Sequence, residues 1–422
     1  MEYGCIGEKL GHSFSKEIHN ALTDYNYELK EITKENIDAF MHKRDFKAIN
    51  VTIPYKETVI PFVDSISDEA KKIGAVNTIV NKDGKLSGFN TDFYGMKSLI
   101  ERAGIEIKNK TVAILGGGGT SKTACAVAES LGAKAIYKVS RSSKEDFITY
   151  KELYNISDSI DVIINTTPVG MYPNIYASAV EIENFKNLSG VVDAVYNPLR
   201  SKLVLSAQMQ NIKAVGGLYM LVAQAAAAVE RFIDVEIDTK TIEAVYKKLF
   251  NNKENIVLIG MPGSGKTTIG SELSGILNRP FYDSDKQIEE TENCAIPEIF
   301  KNNGEAYFRE CETNAIFTLS KNNSSVISTG GGVVLNKKNI VLLKQNGKIF
   351  FLDRPLEMLV ATSDRPLSSN REDLEKRYNE RYQLSPCQWL HQRSGRSYHG
   401  LPDRRKAFQA RGQQPYYNGF RR

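Results

Sequence analysis

Short apolar runs rich in β-branched residues alternate along this chain with longer stretches of helical period, and two of those runs end in glycine-rich turns. Val112-Ala113-Ile114-Leu115 leads into Gly116-Gly117-Gly118-Gly119-Thr120-Ser121, and Ile256-Val257-Leu258-Ile259 leads into Gly260-Met261-Pro262-Gly263-Ser264-Gly265-Lys266-Thr267. Ala48-Ile49-Asn50-Val51-Thr52-Ile53 reads as a further short strand, and Leu221 to Phe232 as an alanine-rich helix. Alternation of this kind predicts an α/β fold with largely parallel sheets. The pattern divides into a block over residues 1–100, a second over 101–219, a helical stretch at about 220–250, and a third block over 251–382. The short polar stretch Leu249-Phe250-Asn251-Asn252-Lys253-Glu254 marks the main boundary. No internal repeat of solenoid length is present.

With 422 residues there is room for two or three domains, each with its own core. No apolar stretch is long enough to span a membrane, and Met1-Glu2-Tyr3-Gly4-Cys5 does not read as an export signal. The five cysteines are scattered without C-x-x-C spacing, which argues against a zinc site or a disulfide framework and fits a cytoplasmic protein. The net charge of +5 is concentrated at one end. Residues 383–422 hold seven arginines, one lysine and one aspartate, a net +7, so the preceding 382 residues are net −2. Nucleic-acid binding is therefore not expected of the body of the chain.

A glycine-rich turn between a strand and a helix lets backbone N–H groups approach a pyrophosphate, with the helix N-terminus adding a favourable field. Gly116, Gly118 and Gly119 occupy the tight positions of the first turn. The next strand runs through Ala135-Ile136-Tyr137-Lys138-Val139 and ends Ser140-Arg141-Ser142. An acidic residue there would hold a ribose 2′-hydroxyl. Arg141 and Ser142 suit a 2′-phosphate instead, so NADP is the expected cofactor.

Five ordered motifs in residues 1–250 resemble the shikimate dehydrogenase family. They are Gly11-His12-Ser13-Phe14-Ser15-Lys16, Asn50-Val51-Thr52-Ile53-Pro54-Tyr55-Lys56-Glu57, Gly74-Ala75-Val76-Asn77-Thr78, Gly88-Phe89-Asn90-Thr91-Asp92 and Met220-Leu221-Val222-Ala223-Gln224. The resemblance implies an α/β substrate domain plus an NADP-binding Rossmann domain, with 3-dehydroshikimate and shikimate as substrates. It implies Lys56 and Asp92 as the catalytic pair, Ser13, Ser15, Thr52, Asn77, Asp92 and Gln224 as substrate ligands, and Thr166 and Met220 as cofactor contacts. Ketone reduction needs a hydride donor and a proton source at the oxygen, and a lysine oriented by an aspartate suits the second role. Lys16 stands where the family often has proline.

The second turn satisfies G-x-x-x-x-G-K-[ST] at every position. Its amides, with Gly263, Gly265 and Thr268 among them, would cradle the phosphates of ATP, Lys266 would reach the β/γ oxygens, and Thr267 would ligate Mg²⁺. The residues that follow resemble the shikimate kinase family, which implies a P-loop kinase α/β domain. On that resemblance Asp283 lies on the Mg²⁺ side, and Asp285 holds and helps deprotonate the acceptor hydroxyl. Arg309 and Arg381 bind the substrate carboxylate, Gly331 belongs to the substrate wall, and Arg365 stabilises the transferred phosphoryl group. The product of the first family is the substrate of the second. The combination implies a bifunctional enzyme of aromatic amino acid biosynthesis. The rival reading is a quinate/shikimate dehydrogenase with an inactive kinase-like binding module.

After Tyr382 the resemblance stops. Residues 383–422 contain no Ile, Val, Thr, Met or Glu, and they hold the single tryptophan, Trp389. The shift reads as a change of reading frame, or else as a disordered basic tail whose interleaved aromatics and arginines could bind nucleic acid. On either reading the terminal strand of the kinase sheet is expected to be missing, leaving an exposed sheet edge and an impaired kinase.

Overall fold

A computed structural model describes residues 1–10, 14–142, 145–355, 359 and 388–391. Its strands form three sheets. The first contains β1 (Tyr3–Gly7), β2 (Tyr27–Glu31), β3 (Ala48–Val51), β4 (Ser65–Ile66), β5 (Thr78–Lys82) and β6 (Lys85–Phe89), in the order β2-β1-β3-β5-β6-β4. Here the parallel expectation holds only in part: β3–β5 and β5–β6 are antiparallel. The β5–β6 pair is a hairpin closed by the two-residue turn Asp83-Gly84. Both residues have positive φ (54° and 83°), the conformation whose twist matches a tight hairpin and which glycine adopts without steric cost.

Helices α1 (Ser15–Leu22), α2 (Ile37–Lys43), α3 (Asp68–Ile73) and α4 (Thr91–Arg102) belong to this part of the chain. The second sheet holds β7 (Thr111–Leu115), β8 (Ala135–Ser140), β9 (Phe147–Thr149), β10 (Val162–Asn165), β11 (Gly190–Asp193) and β12 (Lys213–Val215). Its order is β12-β11-β10-β7-β8-β9, and every pairing is parallel. Along β7 the apolar run is buried on both faces. Val112 and Ile114 join the core beneath α4 and α5 (Gly119–Ser130), whereas Ala113 and Leu115 join the opposite core. Two-sided burial explains why a parallel strand reads as an unbroken hydrophobic run. Helices α6 (Tyr150–Asn155) and α7 (Lys202–Met209) complete this unit.

Helix α8 (Leu218–Ile233) returns to the first unit and packs on α4. The approach is close at Gly95, where a Cβ would lie 2.6 Å from the Met220 carbonyl oxygen and 2.8 Å from the Gln224 Cβ. Helix α9 (Thr239–Lys253) follows, starting at an Asp238 cap.

The third sheet contains β13 (Asn255–Gly260), β14 (Phe281–Asp283), β15 (Val326–Ser328), β16 (Gly347–Asp353) and β17 (Gln388–His391). All its pairings are parallel, in the order β14-β15-β13-β16-β17. Its helices are α10 (Lys266–Leu277), α11 (Ser284–Glu292), α12 (Ile296–Ser320, kinked at Gly304) and α13 (Lys337–Asn346). The expected loss of a terminal strand is corrected by β17. Phe350 to Asp353 pair with Gln388 to His391, so the start of the arginine-rich segment covers the edge of β16. Main-chain pairing makes little demand on side-chain identity, so an abrupt change in composition did not prevent it. The rest of that segment, residues 392–422, lies outside the described residues. Among the described residues no helix is long and apolar enough to cross a membrane.

Candidate functional site

The first site lies where β3, β5 and the N-terminus of α4 converge. Lys56 follows β3, and its Nζ donates to Asp92 Oδ2 at 2.6 Å; the two side chains are 28% and 21% exposed. The pair therefore remains reachable from solvent while fixed in orientation. The Lys56 carbonyl accepts from Val76 N at 2.8 Å, which ties the lysine segment to the one carrying Asn77. Asn77 is buried, and its Oδ1 accepts from Thr91 N at 2.7 Å and from Thr78 Oγ1 at 3.0 Å. The Thr91 hydroxyl also reaches Gln224 Oε1 at 3.4 Å. Thr91 thus joins Asn77 to Gln224 and sits beside Asp92. Its role was not legible in the sequence, where it was one letter between two expected site residues.

Ser15 opens α1, and Thr52 follows β3 with its N–H donating to the Ile6 carbonyl at 2.9 Å. Ser13 lies outside the described residues. Behind Ser15, His19 of α1 is buried, with Nδ1 2.6 Å from the Tyr25 hydroxyl and its ring stacked on Tyr27 at 3.9 Å. Burial pushes its pKa from 6.5 down to about 3, against a smaller opposing pull from Asn50. The unfolded chain therefore takes up a proton near pH 6.5 that the folded chain refuses until about pH 3. Stability contributed by neutral His19 is full above this window and is lost as pH falls through it, at up to about 1.4 kcal/mol per pH unit. Urea midpoints of the unaltered protein and His19→Gln are expected to converge between pH 7 and pH 5. Parallel curves would show that His19 does not set the acid sensitivity.

The second site is the turn after β7. Gly116 has φ 112°, and a Cβ there would lie 2.7 Å from Thr166 Oγ1. The Thr166 hydroxyl in turn donates to the Leu115 carbonyl at 2.6 Å. Only glycine meets both demands, the backbone angle and the close approach. Gly118 caps α5, and a Cβ at Gly118 or Gly119 would meet nothing within 4 Å, so this side of the turn is open. Arg141 and Ser142 are exposed just past the end of β8, and Gly116 N donates to the Val139 carbonyl at 2.9 Å, which holds the two segments together. Met220 is buried in the first turn of α8. The open turn, the helix N-terminus and the basic residue at the neighbouring strand end suit a phosphorylated dinucleotide.

The third site is built on β13 and β14. Lys266 is buried, with Nζ donating to the Gly260 and Met261 carbonyls at 3.1 and 2.9 Å. Gly263 and Gly265 take positive φ in the loop, and Thr268 stands in the first turn of α10. Ser264 Oγ is buried without a hydrogen-bond partner, an unsatisfied polar group inside a phosphate-shaped loop. Thr267 Oγ1 donates to Asp283 Oδ2 at 2.9 Å. The other Asp283 oxygen caps α11 by accepting from Asp285 N at 3.0 Å. A hydroxyl and a carboxylate side by side are hard oxygen donors of the kind Mg²⁺ uses with phosphates and water.

Arg309 forms ion pairs with Glu305 at 2.9 Å and with the buried Glu312 at 3.1 Å. The glycines on either side of Gly331 approach the site residues closely. A Cβ on Gly330 would strike Asp285 Oδ1, and one on Gly332 would strike the Arg309 guanidinium. Asp285, Arg309 and the glycine wall are thereby brought together. Glu312, which fixes Arg309, went unnoticed in the sequence; its i+3 spacing on a helix was the available signal. Arg365 and Arg381 lie outside the described residues.

Comparison with known proteins follows this division. Residues 5–79 match the family model "Shikimate dehydrogenase substrate binding domain", and residues 262–388 match "Shikimate kinase". A shikimate dehydrogenase (NADP(+)) of Clostridium perfringens is 42% identical over 265 residues, covering 58% of this chain and 97% of that protein. One from Clostridium beijerinckii is 39% identical over 268 residues, covering 60% and 98%. The crystal structure of a chorismate mutase/shikimate 5-dehydrogenase fusion protein from Clostridium acetobutylicum superposes with a TM-score of 0.55 at 39% identity. It covers 58% of this chain and 96% of the solved one.

Proposed function

The chain belongs to the shikimate dehydrogenase family and carries a shikimate kinase segment behind that region, and on this premise we propose two consecutive reactions. The first is NADPH-dependent reduction of 3-dehydroshikimate to shikimate. The second is transfer of the γ-phosphoryl group of Mg-ATP to shikimate, giving shikimate 3-phosphate on the route to aromatic amino acids. The observation that carries the first is the Lys56–Asp92 pair, 2.6 Å apart and adjoining the Asn77–Thr91–Gln224 cluster.

In reduction, Lys56 donates a proton to the carbonyl oxygen, and in oxidation it accepts one; Asp92 orients it and receives a substrate hydroxyl. Ser13, Ser15, Thr52, Asn77 and Gln224 are neutral groups suited to the carboxylate and hydroxyls of a polyhydroxy acid. NADPH, when bound, supplies the hydride. Gly116, Gly118 and Gly119 would hold its pyrophosphate, Thr166 and Met220 would contact its nicotinamide end, and Arg141 with Ser142 would favour a 2′-phosphate.

In the kinase, the loop amides, Lys266 and Thr268 would hold the triphosphate, and Thr267 with Asp283 would hold Mg²⁺. Asp285 positions the attacking hydroxyl and draws off its proton, and Arg309, held by Glu305 and Glu312, supplies positive charge for the carboxylate. The segments carrying Arg365 and Arg381 would complete the phosphoryl and carboxylate contacts. Both reactions belong with cytoplasmic pools of NADPH and ATP.

One preparation tests both halves. Shikimate should reduce NADP⁺ in preference to NAD⁺, and shikimate with Mg-ATP should release ADP. ADP release absent beside a working dehydrogenase would leave a monofunctional enzyme with a binding-only kinase module.

A further inference from the structure

The third unit is seated on the second through a segment that neither proposed reaction uses. Ile175, from the loop after β10, is 1% exposed and belongs to the hydrophobic core built by α12, α13, β13 and β16. Its carbonyl accepts from Gln345 Nε2 at 2.7 Å, and the next residue, Tyr176, stacks on Phe317 with ring centroids 4.9 Å apart. Further along, Leu199 N donates to Asn346 Oδ1 at 2.9 Å. Gln345 and Asn346 are both buried.

Arg200 does the most. The last carbonyls of a helix have no partner within it. Arg200 serves those at the end of α13, with Nε donating to Lys344 O at 2.9 Å and its backbone N–H donating to Gln345 O at 3.0 Å. Its Nη2 also reaches Gly347 O at 3.1 Å, where β16 begins, and pairs with Glu254 Oε1 at 2.6 Å, where α9 gives way to β13. Both members of this ion pair are under one-fifth exposed. A guanidinium offers five donors in a fixed fork, which is what a helix end, a strand start and a carboxylate together require.

We propose that residues 172–200 of the dinucleotide unit form a docking surface whose partner is the kinase unit of the same chain. The dehydrogenase contributes a core residue, Ile175, and a helix cap, Arg200, that the kinase sequence lacks. The kinase unit is completed by the enzyme that precedes it. Ile175 shares its core with Val333, the residue after Gly332, so the docked loop supports the wall that faces Arg309. Burial of the Arg200–Glu254 pair makes the contact specific, because removing the Arg200 side chain strands the Glu254 charge together with two carbonyls, those of Lys344 and Gly347.

The test is amide hydrogen exchange on the full chain carrying Arg200→Gln, with Ile175→Ala as a milder second variant. Exchange in α13 and β16 is expected to accelerate by at least about tenfold while β7 and β8 keep their rates. Unchanged rates in α13 and β16 in both variants would overturn the proposal. So would acceleration spread equally through β7 and β8, since Arg200 and Ile175 would then serve the dinucleotide core itself. Should Arg200→Gln not yield soluble protein, the Ile175→Ala pattern decides by the same criteria.

Discussion

Replacing Lys56 with methionine is expected to lower the turnover of shikimate oxidation by about 10²- to 10⁴-fold, the range of a lost general acid–base group. Methionine keeps the length and apolar stem of the side chain and removes the ammonium. The effect should fall on kcat, because the Asn77–Thr91–Gln224 cluster does not depend on Lys56 for its hydrogen bonds. The fold should survive, since Lys56 is partly exposed and its bond at 2.6 Å is to a partner that water can also reach. Steady-state kinetics with NADP⁺ and shikimate, beside a melting curve, would check this. A kcat within a few-fold of the unaltered enzyme would remove Lys56 from the proposed mechanism.

Asp285→Asn is expected to reduce shikimate-dependent ADP release by about 10²-fold or more while leaving NADP⁺ reduction unchanged. Asparagine preserves size and the contact with Gly330 but has no negative charge to orient the acceptor hydroxyl or draw off its proton. Asp285 is well placed to act because it is held from two sides. Its N–H is fixed by Asp283, which also binds Thr267, and Gly330 N donates to Ser284 Oγ at 2.7 Å, which brings the glycine wall onto α11. The dehydrogenase in the same polypeptide serves as the internal control for concentration and folding. Normal ADP release by the variant would exclude Asp285 as the group that handles the acceptor.

The readable parts of this protein were those whose chemistry is confined to a few consecutive residues. A phosphate loop is ligated by its own backbone, so its glycines, Lys266 and Thr267 must stand at set spacings, and the strand before it must be buried on both faces. The same holds for the Gly116 turn, where Leu115, Gly116 and the end of β8 meet through main-chain bonds. Lys56 and Asp92 were legible only as members of an ordered set of motifs; their 2.6 Å contact spans 36 positions.

The sequence by itself determined the α/β class, the order of the two enzymatic regions and the positions of both phosphate turns, because local periodicity and loop chemistry encode these. The tertiary structure alone decided the rest. Thr91 became the link between Asn77 and Gln224 when α8 closed on Gly95. Gly330 and Gly332 came to line the site beside Gly331 because α11 and α12 bring Asp285 and Arg309 against them. Gln388–His391, within a segment whose composition breaks with everything before it, became the fifth strand because β16 offered an unpaired edge. Arg200 and Gln345 became the joint between the enzymes although they stand 145 positions apart in the chain. No spacing rule marks such partnerships, since each depends on which surfaces meet once the helices and strands have packed.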